Sequence, residues 1–289
     1  MSGFTETREC KLIIVTGKKR IGKSNETLRN LCYDVLKSGR KFLIFDVNNE
    51  YGQYKIYFPD GTNKVHPVKR IFHKDIAKFS RQKVIQGARV IPIHDNGKAM
   101  SPEEIEELMM TILTQFRGGA LLLEDMNNII GDSLPVKVSG ALVNNAHRDC
   151  DIYIHMQSVG RILPKMRQNT EIIRFHYQLD GIEDSKEKLK SEYEIFKIAQ
   201  LIVNKHYFGD NKRYFLFINR EEAKLMGKFS KRDLASAVYD YISTHRRVLQ
   251  DLLDRRGAGG AKMHDYDQAV AMKTRELVDK YWGNDSVAA

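Results

Sequence analysis

The octapeptide GKKRIGKS, Gly17 to Ser24, fits the spacing G-x-x-x-x-G-K-[ST] of a loop that cradles phosphates. Its residue types explain the chemistry. Gly17 and Gly22 permit a tight turn whose backbone N–H groups face inward. A helix opening at Lys23 adds its unpaired N–H groups and the positive end of its dipole. Lys23 is spaced to reach β- and γ-phosphates, and the Ser24 hydroxyl to complete a Mg²⁺ shell. Lys18, Lys19, Arg20, Ile21 and Asn25 fill out the loop. The expected ligands are ATP and Mg²⁺.

Such a loop needs an acid at the end of a neighbouring strand. ALLLED supplies Glu124 and Asp125 after four apolar residues, far enough along the chain to leave room for an intervening strand. With Ser24 they form the expected metal set. Adjacent side chains on a strand point in opposite directions, so one acid should face the metal and the other the attacking water. Asp125 is taken as the base. The order here is Glu then Asp, the reverse of the common one, so the roles of Glu124, Asp125 and Glu50 stay open. Asp46, ending another apolar run, is a candidate to support the metal shell or orient Lys23.

The elements that must carry these residues follow from the apolar pattern. Residues 11–17, 41–47, 88–94, 120–125 and 151–157 are near-continuous apolar runs, the mark of strands covered on both faces. Residues 170–178 alternate and predict a sixth, more exposed strand. Helices are expected over 23–38, 102–116 and 134–147; Ser101, Pro102, Glu103 and Glu104 form a clear start signal for the second. Residues 48–87 read as an irregular excursion with one short helix. The rhythm predicts an α/β fold, a mostly parallel sheet with helices on both faces and a helical C-terminal appendage.

Beyond residue 180 the chain turns helical and basic, with one long amphipathic helix expected from about residue 183 and a short edge strand over 212–218. The glycine-rich RRGAGGAK, residues 255–262, reads as a linker. The expected division is an ATPase core over 1–180, a basic helical extension over 181–260 packed on it, and a helical tail over 261–289.

Lys plus Arg number 47 against 37 Asp plus Glu, a net charge of +10 that favours an anionic partner. Three widely spaced cysteines exclude a disulfide framework and a cysteine zinc site, and fit a reducing compartment. The opening MSGFTETREC has no secretory signal pattern, and no apolar run approaches a membrane span, so the expectation is a cytoplasmic protein without membrane insertion.

Taken together, GKKRIGKS, IFDVNNEYG (44–52, with a D-x-x-x-E-Y pattern), ALLLED and HRDCDIYIHMQSVGRILPKMRQN (147–169) resemble the FtsK/HerA superfamily of hexameric DNA-translocating P-loop ATPases, particularly its small viral genome-packaging members. The resemblance spans residues 11 to about 178. It implies that Gln157 senses the γ-phosphate and that Arg148 reaches a neighbouring subunit's site as a trans-acting finger, with Arg161 and Arg174 as weaker alternatives. It further implies a RecA-like P-loop NTPase fold, a homo-oligomeric, hexameric ring that moves double-stranded DNA without regard to sequence, and a capsid or portal partner. Residues 73–83, Lys64, Lys69 and Arg70 are the expected DNA-contacting loops. Competing readings are a membrane-linked phage assembly, secretion or conjugation ATPase, a P-loop small-molecule kinase with Arg161 and Arg167 in its lid, and a non-catalytic nucleotide-dependent scaffold.

Overall fold

The computed structural model of the protein describes residues 10–58, 60–126, 136–143, 149–257 and 260–284. The chain divides into two compact units, Met1–Ile172 and Ile173–Ala289.

The apolar runs of the first unit form strands because helices and loops deny water to both their faces. These are β1 (Leu12–Thr16), β2 (Lys41–Phe45), β6 (Gly87–Val90), β7 (Gly119–Leu123) and β8 (Cys150–Met156). Every residue of β2, β7 and β8 is buried. Short β3 (Tyr54–Tyr57), β4 (Asn63–His66) and β5 (Lys69–Arg70) lie between β2 and β6 in the chain. The sheet order is β5-β6-β2-β7-β8-β1, with every pairing parallel. The room expected between the loop strand β1 and the acidic strand β7 is filled by β8.

Helix α1 (Lys23–Arg29) follows the glycine-rich loop and continues as a π-helical turn over Asn30–Val35. Its Leu28, with Leu31 and Val35, packs into a core with Phe42, Ile44, Tyr51, Ile56 and Leu122. This apolar seam fixes the helix start against the strand ends. Helix α2 spans Ile76–Arg81 and α3 spans Pro102–Gln115. The start signal at Ser101 becomes a reciprocal capping box: its hydroxyl accepts from Glu104 N–H at 3.3 Å and its own N–H donates to Glu104 at 2.8 Å. Helix α4 covers Val136–Val143 and α5 covers Pro164–Gln168.

Two expectations change in this unit. Residues 48–87 contain an antiparallel hairpin, β3–β4, as well as the short helix. Ile56 is the one buried residue of the two strands, so there was no apolar stripe to reveal them. The short parallel strand β5 was likewise not anticipated.

In the second unit β9 (Ile172–His176) lies beside β10 (Phe215–Asn219), which pairs antiparallel with β11 (Lys224–Gly227). The exposed position expected for β9 is overturned: Arg174 and His176 are 3% and 1% exposed, because both pack on the ring of Phe215. The single helix expected from residue 183 is broken. Lys190 adopts a left-handed φ of 50°, and the continuous helix α6 begins only at Tyr193, ending at Phe208. Helices α7 (Lys231–Thr244) and α8 (Tyr266–Tyr281) pack together, and α8 reaches α6 through Lys280 and Tyr281 on Glu194.

Candidate functional site

At the end of β1 the chain enters the loop through Gly17 at φ 149° and leaves it through Gly22 at φ 95°, two conformations that a side chain would strain. Gly22 is the N-cap of α1. The Lys23 ammonium folds back, donating to the carbonyls of Gly17 at 2.5 Å and Lys18 at 3.0 Å. Ile21 is buried as the loop's apolar anchor, whereas Lys19 and Arg20 are exposed. Asn25 is turned away from the loop: its amide donates to the Tyr57 carbonyl at 3.0 Å and accepts from the Tyr57 N–H at 2.7 Å. It joins α1 to the β3–β4 hairpin.

The strand register delivers the acids. Leu123 of β7 pairs with Ile154 of β8, so Glu124 comes level with His155, which itself pairs with Val15 of β1. The Glu124 carboxylate, 7% exposed, is held by three groups from separate parts of the chain. Ser24 Oγ donates to Oε1 at 3.0 Å, Tyr51 O–H donates to Oε1 at 2.7 Å, and His155 Nδ1 lies 2.5 Å from Oε2. His155 Nε2 in turn lies 2.8 Å from Thr27 Oγ1 on α1. Burial on its own would raise the Glu124 pKa. The facing His155 and the hydrogen bonds from His155, Tyr51 and Ser24 outweigh it and bring the carboxyl down to about 2. Glu124 is therefore a fixed anion.

Asp125 leaves the strand end at a left-handed φ of 47° and accepts from the Asn48 amide at 3.0 Å. Glu50 is exposed, yet its carboxyl pKa is raised, first by local desolvation and then by Glu124, Asp46 and Asp125; Lys19 opposes them. Asp46 is fully buried and fully engaged. It accepts from the N–H groups of Glu50 at 2.8 Å and Tyr51 at 3.1 Å and pairs with Arg89 at 2.8 Å. Arg89 approaches so closely past Gly52 that a Cβ there would stand 2.7 Å from its guanidinium. Asp46 and Arg89 thus fix the turn that aims Tyr51 at Glu124.

Gln157 is half-buried one residue beyond the Thr16–Met156 pair, at the entrance to the phosphate loop. The structure thus gathers Gly17 to Ser24, Glu124 and Gln157 at adjacent ends of β1, β8 and β7, with Asp125 following Glu124 and Glu50 coupled to both acids. Asn25 engages the Tyr57 backbone, and Asp46 engages both the 50–51 turn and Arg89. Arg148 lies outside the described residues. Tyr51, His155, Thr27 and Arg89 also belong to this constellation, and no sequence motif gives them a role. His155 carried a signal: it is an ionisable side chain in a strand buried throughout, two residues before Gln157.

The donor set suits a hard cation, since Ser24 offers a hydroxyl oxygen and Glu124 a carboxylate at the start of α1. Among the described residues no group of three or more His, Cys, Asp and Glu side chains could hold a metal unaided.

No family model matches the chain. No curated protein matches it either. Among solved structures it is similar to the genome packaging NTPase B204 of Sulfolobus turreted icosahedral virus 2 in complex with AMP, at 14% identity and a TM-score of 0.48, over 75% of this chain and 96% of that one. B204, the DNA-packaging ATPase from Sulfolobus turreted icosahedral virus, is similar at 16% identity and a TM-score of 0.45, over 74% and 95%. The N-terminal domain of zonular occludens toxin from Neisseria meningitidis is similar at 13% identity and a TM-score of 0.33, over 58% and 76%.

Proposed function

We propose that the protein is an ATPase that moves double-stranded DNA, acting as a homo-oligomeric, hexameric ring in viral genome packaging. One observation carries the hydrolytic part: the hydrogen bond from Ser24 at the start of α1 to Glu124 at the end of β7, across the intervening strand β8. It joins a hydroxyl in the first turn of the helix that follows the loop to a carboxylate whose charge is fixed, as a magnesium–triphosphate site requires. The DNA and ring parts rest on the sequence resemblance and on the net charge of +10.

Lys23 exchanges the carbonyls of Gly17 and Lys18 for phosphate oxygens when ATP enters, so the loop's own acceptors hold the lysine ready. Ser24 and Glu124 are the residues that would hold Mg²⁺, which when bound would supply positive charge against the β- and γ-phosphates. A carboxyl near pKa 2 is a poor proton acceptor, which leaves the base role to Asp125, with Glu50 as the alternative. Gln157 reports γ-phosphate loss, and Arg148 acts in the neighbouring subunit. A capsid or portal component is the expected docking partner. Among the described residues no helix is long and apolar enough to cross a membrane.

The test is ATP hydrolysis by purified protein with and without double-stranded DNA across a dilution series. The reading expects stimulation by DNA and falling turnover per subunit on dilution. Turnover that is indifferent to DNA and constant on dilution would favour a small-molecule kinase or a scaffold with residual hydrolysis.

A further inference from the structure

The second unit contains a cleft of about 560 Å³ lined by Lys186, Tyr193, Tyr241, His245, Arg246 and Arg247, together with Ser243, Thr244 and Val248. Lys186 comes from a short helical turn ahead of α6, and the two arginines from the turn that follows α7. Packing of Tyr193 against His245, with O–H to Nε2 at 3.1 Å, brings the two segments together. All three cations are exposed, and no lining residue is acidic. The acids that flank the cleft are neutralised elsewhere. Glu183 pairs with Lys197, and Glu194 pairs with Lys280 at 3.2 Å. Asp184 and Glu187, beside Lys186 in the chain, do not line it. Among the described residues Lys186, Arg246 and Arg247 have no carboxylate within ion-pair distance.

Three uncompensated cations around one cleft call for an anion, and the guanidinium fork suits phosphate oxygens. The aromatic lining decides which phosphate compound. Tyr193 and Tyr241 are 6% and 4% exposed, with their faces occupied by Lys186 and His245 respectively, so the cleft has no free ring on which a base could stack. It offers three cations and no acid, the charge pattern that suits a sugar–phosphate backbone.

We propose that this cleft binds the phosphodiester backbone of double-stranded DNA without reading its sequence. The proposal rests on the DNA reading above and locates a grip in the second unit, on residues other than the loops at 64–83.

Binding of a fluorescent mixed-sequence duplex by the full chain, over a range of salt concentrations, tests it. The triple variant Lys186→Ala, Arg246→Ala, Arg247→Ala should weaken binding by about tenfold or more at low salt. It should also flatten the dependence of log K on log salt by about 0.9 per lost phosphate contact. The charge-conserving pair Arg246→Lys, Arg247→Lys should keep most of the affinity, and the triple variant should keep wild-type ATP affinity and thermal unfolding. Wild-type affinity and salt slope in the triple variant would overturn the cleft while leaving the DNA reading intact. Absence of duplex binding by the wild-type chain would overturn both. A triple-variant defect seen with free AMP or polyglutamate but not with duplex would make this a small-anion or carboxylate site and likewise overturn the proposal.

Discussion

Glu124 and His155 face each other from adjacent parallel strands, Oε2 to Nδ1 at 2.5 Å, with His155 at the same time reaching Thr27 on the helix that follows the phosphate loop. The histidine thereby couples the acid to α1. It is 1% exposed and touches the acid, so it is a positioning residue.

Replacing His155 with Ala should leave ATP affinity close to wild type and lower kcat by about 10- to 100-fold, the range seen when an outer-shell partner of a metal ligand is lost. His155→Gln retains a donor and should recover part of the rate. Steady-state kinetics that resolve KM from kcat check this; equal loss in both variants together with a raised KM would point to general disruption.

The base assignment separates by substitution. Asp125→Asn should abolish hydrolysis while sparing ATP binding, because among the described residues its carboxylate meets one neutral partner, Asn48, and no cation. Glu50→Gln should leave hydrolysis within about threefold of wild type, the neutral amide removing only an unfavourable charge among Glu124, Asp46 and Asp125. Single-turnover rates with bound ATP decide; the reverse pattern would move the base to Glu50. Glu124→Gln should instead raise the Mg²⁺ concentration needed for half-maximal rate.

Asp46 makes a structural prediction. Asp46→Ala would strand the half-buried Arg89 guanidinium and free two backbone N–H groups, so it should cost about 3 kcal/mol in chemical unfolding. Arg89→Met removes the other partner and should also destabilise the chain, since it leaves the buried carboxylate without its cation. If either variant lost hydrolysis at undiminished stability, Asp46 would belong to the reacting site rather than to its frame.

Acid stability should depend on Asp233, the third residue of α7. Its carboxyl is lowered to about 2, first by the Ser230 hydroxyl, then by the Ser230 N–H and by Lys205. A depressed carboxyl stabilises the fold above its ordinary pKa, and the effect disappears as pH falls through the folded value. Asp233→Asn should therefore be less stable than wild type by about 1 kcal/mol at pH 7, the usual worth of such a cap. The difference should shrink between about pH 4 and pH 2 in thermal melts.

The parts legible in the sequence are those fixed by local pattern. Continuous apolar runs announced β1, β2, β7 and β8 because both faces of each are covered, and Gly17 and Gly22 announced the loop because its backbone needs conformations that side chains resist. What the pattern could not reveal is long-range satisfaction of polar groups. Glu124 meets Ser24 and Tyr51, respectively 100 and 73 residues away in the chain, and Asp46 meets Arg89 43 residues on. Alternation in β9 read as exposure because a buried Arg174 and His176 on an aromatic ring look, in sequence, like a wet face. The left-handed Lys190 broke a helix that charge and apolar spacing favoured, with no glycine to mark the place.

In the function proposed above, ATP hydrolysis at the Lys23–Ser24–Glu124 site drives the chain along duplex DNA. Displacement of a triplex-forming strand from a duplex reads this directly. With ATP and Mg²⁺ the wild-type protein should release the third strand after a lag that lengthens with its distance from the duplex end, and Lys23→Ala should release none. Release that is absent in the wild type while ATP is hydrolysed at a rate unaffected by the duplex would contradict it.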